Sequence, residues 1–228
     1  FKQTDFEKGT IRLRARFGSG KLTQPKDSPG LDTFASSIFE AGGLGKHSVD
    51  DLQQILAGRN VGSNFAIEDD AFSLSGGTTP EDLELQLQIM CAQLTDPGYR
   101  EEALAQFRKA VPMIFQQIRH TPAGPQREMI SWLHGGDSRW GVPDEAKLNS
   151  YTLDDVRGWL TPALEKSYLE LSIVGDFQEA ELLPLVLKTF GALPAREEKK
   201  PELAEARKIA FPKGPTAKTF TYDSKIEQ

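Results

Sequence analysis

Hydrophobic and polar residues alternate strictly from Thr10 to Phe17. This period of two predicts a β-strand with one buried side and one solvent-facing side. The polar side carries three arginines, which either bind an anion or form the wet face of an antiparallel sheet, and the second interpretation is favoured. The apolar positions are Ile11, Leu13, Ala15 and Phe17, and the arginines are Arg12, Arg14 and Arg16.

A helical period follows the loop 18–29. Apolar residues recur at i, i+3, i+4, i+7 and i+8, which predicts a core-facing helix. Gly42 and Gly43 are suitable C-terminal stops, because glycine adopts left-handed backbone angles at little cost. A second face of this helix carries the small hydroxyls Thr33, Ser36 and Ser37. The apolar positions are Leu31, Phe34, Ala35, Ile38 and Phe39.

Helices and short strands alternate along the rest of the chain. Ser48 as N-cap and Asp51 three residues later predict a helix that ends at Gly58, with Leu52, Ile55 and Leu56 on its apolar face. Thr152 as N-cap with Asp155 at N3 predicts another helix start. Gly76 and Gly77 are expected to end the second of two short strands. The two short strands are predicted at 61–67 and 71–75, and a third strand at 168–174. Further helices are predicted at 79–95, 99–120 and 121–133. Two more helices are predicted, one starting at 152 and one after the third strand that ends at about 190. Pro112 is expected to kink the helix 99–120 or to mark a boundary in it.

The composition is that of a soluble globular protein. The chain has 228 residues, 38% hydrophobic residues and a mean hydropathy of −0.43, with no apolar run of the roughly 18 residues that a membrane helix needs. The net charge of −6 argues against a nucleic-acid partner, which requires a basic face. The sequence opens at Phe1 without a methionine, so we expect a processed or cloned fragment.

Few residues offer chemistry of their own. Cys91 lies on the apolar face of a predicted helix, so a buried thiol is favoured over a nucleophile. His47, His120 and His134 lie in separate segments without ligand partners at helical spacing, and each is interpreted as a surface or capping residue. A serine–histidine–aspartate set can be assembled from such a chain, but no G-x-S-x-G elbow supports it.

The offsets of Thr33, Ser36 and Ser37 match those of an H-x-x-E-H zinc helix. In such a helix two histidines hold the metal and a glutamate activates water. A neutral hydroxyl is a poor zinc ligand and a poor general base. The spacing carries no weight alone, but the residues around it do.

Several segments, in order, resemble the insulinase/pitrilysin family of zinc metallopeptidases. Residues 30–42 look like its G-x-x-H-x-x-E-H-x-x-F-x-G helix, and Thr152-Leu153-Asp154-Asp155-Val156 is similar to its "LT-x-EDV" helix start. Ile173-Val174-Gly175-Asp176 resembles its "VVGD" strand end. Further similar segments are 48–52, 64–66 and 190–194. The match spans about residues 1–195.

The resemblance does not extend to the zinc ligands or the catalytic glutamate. It places the first ligand histidine on Thr33, the catalytic glutamate on Ser36 and the second histidine on Ser37, while the third ligand falls near Ile114. Family members pair a catalytic half with a homologous half that lacks zinc. The resemblance therefore implies the first domain of a non-catalytic half, most similar at residues 1–6 to bacterial single-chain members. The hydroxyl face is either a relic of the ligand site that lines the chamber or ordinary helix packing, and the two interpretations are about equal.

The resemblance also implies a fold and a domain organisation. The expected fold is α+β, a mostly antiparallel sheet with helices packed on one face, in the insulinase/processing-peptidase roll. Residues 1–195 form the non-catalytic domain and residues 196–215 a charged linker. Residues 216–228 begin a following homologous domain, with 216–222 strand-like and 222–228 similar to its first strand.

The implied function is indirect. The domain forms the wall of a peptide chamber opposite a zinc-bearing half, which is its partner together with the peptide substrate. We expect no metal, no cofactor and no activity in this fragment, zinc in the partner half, and no membrane insertion. Alternatives are a structural or substrate-presenting subunit of the same superfamily and an unrelated hydrolase. The family favours a periplasmic location, which the residues themselves do not indicate.

Overall fold

A five-stranded mixed sheet forms the centre of the computed structural model, which describes residues 1–214 and 216–221. The strand order is β1-β5-β2-β4-β3. All neighbours pair antiparallel except β1 and β5, which are parallel. The strands are β1 (Lys2–Gln3), β2 (Ile11–Phe17), β3 (Asn64–Ile67), β4 (Phe72–Thr78) and β5 (Leu169–Gly175).

Strand β2 lies at the centre of the sheet, and its alternating pattern is confirmed. Its apolar side chains are buried. On the opposite face Arg12 pairs with Glu7 at 2.9 Å, Arg14 pairs with Glu68, and Arg16 approaches both Glu68 and the neighbouring Asp70. Because each arginine already faces a carboxylate, the structure favours the wet-face interpretation over an anion site.

Helices pack against the buried face of the sheet. Helices α1, α3 and α7 bury side chains in the same hydrophobic core as the sheet. Phe72 of β4 contacts Phe17 at 5.7 Å and Trp159 of α7 at 5.3 Å between ring centroids. The helices are α1 (Leu31–Gly42), α2 (Val49–Ile55), α3 (Leu83–Thr95), α4 (Glu101–His120), α5 (Ala123–Leu133), α6 (Glu145–Ser150), α7 (Leu153–Lys166) and α8 (Glu179–Lys188). The α+β prediction is confirmed.

The predicted end of β4 is wrong. The strand continues through Gly76 and Gly77 to Thr78, and Gly76 pairs with Leu13. A Cβ on Gly76 would lie 2.4 Å from the carbonyl oxygen of Gly62 and 2.8 Å from Nε2 of Gln86. Glycine therefore permits a close approach inside this strand.

Several boundaries differ from the predicted ones. Helix α3 begins at Leu83, because residues 80–82 form a turn before it. Helix α4 continues through Pro112, which excludes a boundary there. The short elements β1, α6 and three 3-10 turns were not predicted. The strand that was predicted at 61–67 begins only at Asn64.

Helix α2 has the predicted capping box but not the predicted buried face. Ser48 accepts a hydrogen bond from the Asp51 amide, and the Asp51 carboxylate accepts one from the Ser48 amide. No residue of α2 is buried, and Ile55 is 57% exposed. The apolar spacing of Leu52, Ile55 and Leu56 therefore does not lead to packing in the core.

The chain after residue 195 has no helix or strand in the part that the structure describes. Residues 196–211 lie against the domain, as detailed below. Residues 216–221 are irregular, while residue 215 and Tyr222–Gln228 lie outside the described residues. The division into a domain, a linker and a second domain stays a prediction.

Candidate functional site

Helix α1 presents two faces of different character. Its core face buries Phe34, whose ring lies 4.9 Å from that of Phe107 and 5.5 Å from that of Tyr151. The opposite edge carries Thr33, Ser36 and Ser37, all of which are half-buried. The predicted separation of an apolar stripe from a hydroxyl face is therefore present in the folded helix.

The hydroxyl face does not have the donor chemistry of a zinc site. The Ser37 hydroxyl donates to the carbonyl oxygen of Thr33 at 3.0 Å, an ordinary interaction within a helix. Zinc in proteins prefers thiolate, imidazole and carboxylate ligands, and these side chains offer none. Across residues 1–214 and 216–221, no three His, Cys, Asp or Glu side chains come together as a metal-binding group.

Ile114 packs against the core, and its side chain presents no ligand atom to the hydroxyl face of α1. It is a partly buried member of the α4 face, beside the buried Val111 and Phe115. An aliphatic side chain has no lone pair for a metal, so this position cannot act as a third ligand. We therefore derive no metal-dependent step at α1.

A small cavity opens beside the first turn of α1. Its volume is about 240 Å³, and Thr33 is the only one of the three hydroxyl residues that lines it. Lys21 and Asp32 form an ion pair of 2.6 Å on its wall, with 16% and 21% of their side chains exposed. Arg127 of α5 and Trp140 complete the wall. These four residues were missed from the sequence, because they come from four separate segments.

The cavity lining offers polar and charged groups to a ligand. Thr33 and Arg127 offer hydrogen-bond donors, and Asp32 is already occupied by Lys21.

Trp140 is fixed in the cavity wall by three neighbours. Its indole Nε1 donates to Oδ1 of Asp69 at 2.9 Å. The His134 ring stacks on it at 4.5 Å, and the Arg139 guanidinium lies 5.0 Å from the ring centroid. His134 also caps the end of α5, with Nδ1 2.7 Å from the carbonyl oxygen of Ile130. Trp140 lies in the glycine-rich segment 134–141, whose composition predicts only a loop.

The acidic turn 68–70 joins several segments of the domain. Glu68 binds Arg14 and Arg16 of β2, Asp69 binds Trp140, and Asp70 pairs with Arg16 at 3.2 Å. Burial opposes ionisation of Glu68 and Asp70, yet hydrogen bonds and nearby cations hold the pKa of each carboxyl below its usual range. Glu68 and Asp70 are therefore charged at neutral pH.

Cys91 is a partly buried thiol. Burial raises its pKa to about 11, so the thiolate is scarce at neutral pH. The structure thus supports the prediction that Cys91 is not a nucleophile. His47 is exposed, as expected for a surface residue.

Similar proteins are peptidases and peptidase domains. The chain is 23% identical over 203 residues to the chloroplastic stromal processing peptidase of Arabidopsis thaliana, and the match covers 87% of this chain and 16% of that protein. The periplasmic protease PqqL of Escherichia coli superposes with a TM-score of 0.71 at 18% identity, over 92% of this chain and 22% of PqqL. A peptidase M16 inactive domain from Pseudomonas fluorescens gives 0.67 at 18%, over 82% and 46%.

No family model matches the chain. The chain spans about a sixth of the curated relatives that it matches. None of the described helices is both long enough and apolar enough to cross a membrane. The structural matches agree with the fold that the sequence resemblance implies. The chain therefore has the fold of the M16, or insulinase-like, peptidase domains, and it is similar to a non-catalytic member of that group.

Proposed function

We propose that this chain is the first domain of the non-catalytic half of a zinc metalloendopeptidase. One observation carries the proposal: the helix that looks like the zinc helix keeps its core face but presents Thr33, Ser36 and Ser37 on the other side. Hydroxyl groups at these positions can neither bind zinc firmly nor activate water. The domain thus acts through its shape, while a zinc-bearing half performs hydrolysis.

The role follows from the surface beside α1. The cavity at Thr33 contains an ion pair, an arginine and an indole edge, which offer several kinds of contact to a peptide. We infer that this surface forms part of the wall of a peptide chamber opposite the zinc-bearing half. That half, in the same polypeptide or in a homologous subunit, is the proposed partner, and peptide is the proposed substrate.

Two features of similar proteins support this proposal. One structural neighbour is described as an inactive M16 domain. Another is a periplasmic protease more than four times as long as this chain, since the match covers only 22% of it. We extend the periplasmic location to this protein as part of the proposal.

A second candidate is a structural or substrate-presenting subunit. It is compatible with the same helix α1, because a subunit that leaves hydrolysis to a partner needs no zinc ligands of its own. An intact H-x-x-E-H helix upstream in the same polypeptide favours the first candidate, and an inactive or separate partner favours the second. The upstream coding sequence distinguishes them directly.

The proposal is tested by measuring zinc and peptide cleavage together. The 228-residue chain should retain no stoichiometric zinc after equilibration with micromolar zinc and should not cleave casein. In the parent protein, the triple variant Thr33→Ala, Ser36→Ala and Ser37→Ala should leave the zinc content unchanged. Stoichiometric zinc on the isolated chain that this triple variant removes would contradict the proposal, as would metal-dependent cleavage by the isolated chain.

A further inference from the structure

The segment 196–211 follows the domain closely, although its composition is that of a linker. At its start, the Arg196 guanidinium donates to the carbonyl oxygens of Leu164 and Ser167 at the end of α7. The Glu197 amide donates to the carbonyl oxygen of Lys166 at 2.9 Å. These bonds supply partners for carbonyl groups that the end of a helix leaves free.

The middle of the segment meets a carboxylate and a buried guanidinium. Asp70 pairs with Lys200 at 3.2 Å and with Arg207 at 3.6 Å, in addition to Arg16 of β2. The Arg139 guanidinium, 2% exposed, donates to the carbonyl oxygen of Ala206 at 2.8 Å. The segment therefore completes the hydrogen bonding of a buried cation, which an unattached linker would not do.

Arg139 is held in place from inside the domain. Its guanidinium pairs with Asp137 at 2.7 Å and donates to the carbonyl oxygen of Leu22 at 3.2 Å. Further along the segment, the Phe211 ring lies 5.8 Å from the His134 ring. The segment is thus anchored at four places, and three of them, at Asp70, Arg139 and His134, lie on the acidic turn and the glycine-rich loop that also hold Trp140.

We propose that residues 196–211 form a strap that Asp70 and Arg139 latch onto the domain. The strap follows one path over the end of α7, the acidic turn and the loop 134–141. Single exposed ion pairs contribute little, but Asp70 gathers three cations and Arg139 adds a buried bond at the neighbouring position. The latch fixes the direction in which the chain leaves the domain, and it does not depend on the proposed peptidase function.

If residues 196–211 form a strap, some of their amides should be protected from hydrogen exchange, whereas the amides of an unattached linker should not be. The amides of Arg207, Lys208 and Ile209 donate to carbonyl oxygens within the strap at 3.0, 3.2 and 3.0 Å. Such isolated turns are unstable without support, so hydrogen exchange at these amides reports on the latch. Hydrogen exchange of the 228-residue chain at constant pH and salt, resolved to the segment 205–211, is the measurement.

Two variants weaken the latch from opposite sides. Asp70→Asn removes the carboxylate, and the double variant Lys200→Gln, Arg207→Gln removes its partners on the strap. Each should accelerate exchange at 205–211 by about tenfold while amides of β2 stay protected. Asp154→Asn is the matched control, because it removes one carboxylate that is 90% exposed and pairs only within α7.

Each result of these exchange measurements either supports or overturns the latch. Unprotected amides at 205–211 in the unmodified chain would overturn it, and so would unchanged exchange in the double variant. If Asp70→Asn loosens β2 as well, Lys200→Gln alone decides, because Arg207 also donates from Nε to the carbonyl oxygen of Glu202 within the strap at 2.9 Å. An equal effect of Asp154→Asn would show that the change in net charge accelerates exchange, and it would also overturn the latch.

Discussion

A Cβ placed on Gly42 would lie 1.6 Å from the carbonyl oxygen of Gly98. The end of α1 is thus in direct backbone contact with the segment before α4. The Gly98 amide donates to the carbonyl oxygen of Gly43 at 2.9 Å, and Arg100 Nε donates to that of Gly42 at 2.9 Å. The segment 98–100 therefore caps the helix that carries the hydroxyl face.

Gly42→Ala should destabilise the domain. A methyl group cannot be placed 1.6 Å from an oxygen, so the two backbones must separate and strain the capping bonds. We expect a loss of about 3 kcal/mol in the free energy of unfolding, measured by urea denaturation.

Gly158→Ala is the matched control for that substitution. Gly158 lies on an exposed position inside α7, and a Cβ there meets no atom within 4 Å. Alanine has the higher helix propensity, so this variant should gain about 0.5–1 kcal/mol. Equal losses in both variants would show that the contact between Gly42 and Gly98 is not what constrains α1.

Removal of the N-cap residue should affect global stability differently in the two capping boxes. Thr152 caps α7, which buries six side chains, whereas Ser48 caps α2, which buries none. Thr152→Ala should cost about 1 kcal/mol of global stability, because the cap supports a core helix. Ser48→Ala should cost less than about 0.5 kcal/mol globally and appear mainly as faster hydrogen exchange in α2. A larger global loss from Ser48→Ala would contradict this ranking.

Asp137 should make stability depend on acid pH. A hydrogen bond from Arg139 holds the pKa of this carboxyl below its usual range. A lowered pKa in the folded state contributes stability above the ordinary pKa, and this contribution is lost as pH falls through the folded value. The free energy of unfolding should therefore decrease between about pH 5 and pH 2, together with the contributions of Glu68 and Asp70.

Asp137→Asn isolates the part due to this pair. The neutral amide leaves Arg139 buried without its counter-charge, so about 3 kcal/mol should be lost at pH 7. The difference between this variant and the unmodified chain should shrink at low pH, where the original carboxyl is protonated as well. A difference that is constant from pH 7 to pH 2 would exclude the ion pair as its cause.

Cys91 should react slowly in the folded chain. Because burial raises its pKa to about 11, the thiolate is a minor species at pH 8. Alkylation by iodoacetamide should be at least about tenfold slower than in urea, where the thiol regains its ordinary pKa. Equal rates in both solvents would show that the thiol is accessible and ionised in the fold.

Periodicity predicted most of the fold. The strict alternation of β2 and the 3.6-residue period of α1 each describe an element with one buried face, and both were confirmed. The caps at Ser48 and Thr152 were also visible, because capping uses residues three positions apart. These features depend on neighbours in sequence.

The features that sequence reasoning missed depend on distant partners. Gly76 reads as a strand end, but in the fold it makes room for Gly62 and Gln86. The cavity at Thr33 collects Lys21, Arg127 and Trp140 from segments up to about 120 residues apart. The charged composition of 196–211 suggested a linker, since Asp70 and Arg139 lie far from it in sequence. Local pattern carries no information on such pairings.

The two residues of β1 have a consequence for association between chains. Lys2 and Gln3 pair with Val174 and Gly175, so they cover the carboxyl end of β5. A sheet margin with free amides and carbonyls is a template for intermolecular strand addition, and a short strand bearing a lysine is a poor one. Strand addition is thereby disfavoured at the carboxyl end of β5, whereas no described strand covers residues 169–173 of β5 or the outer side of β3.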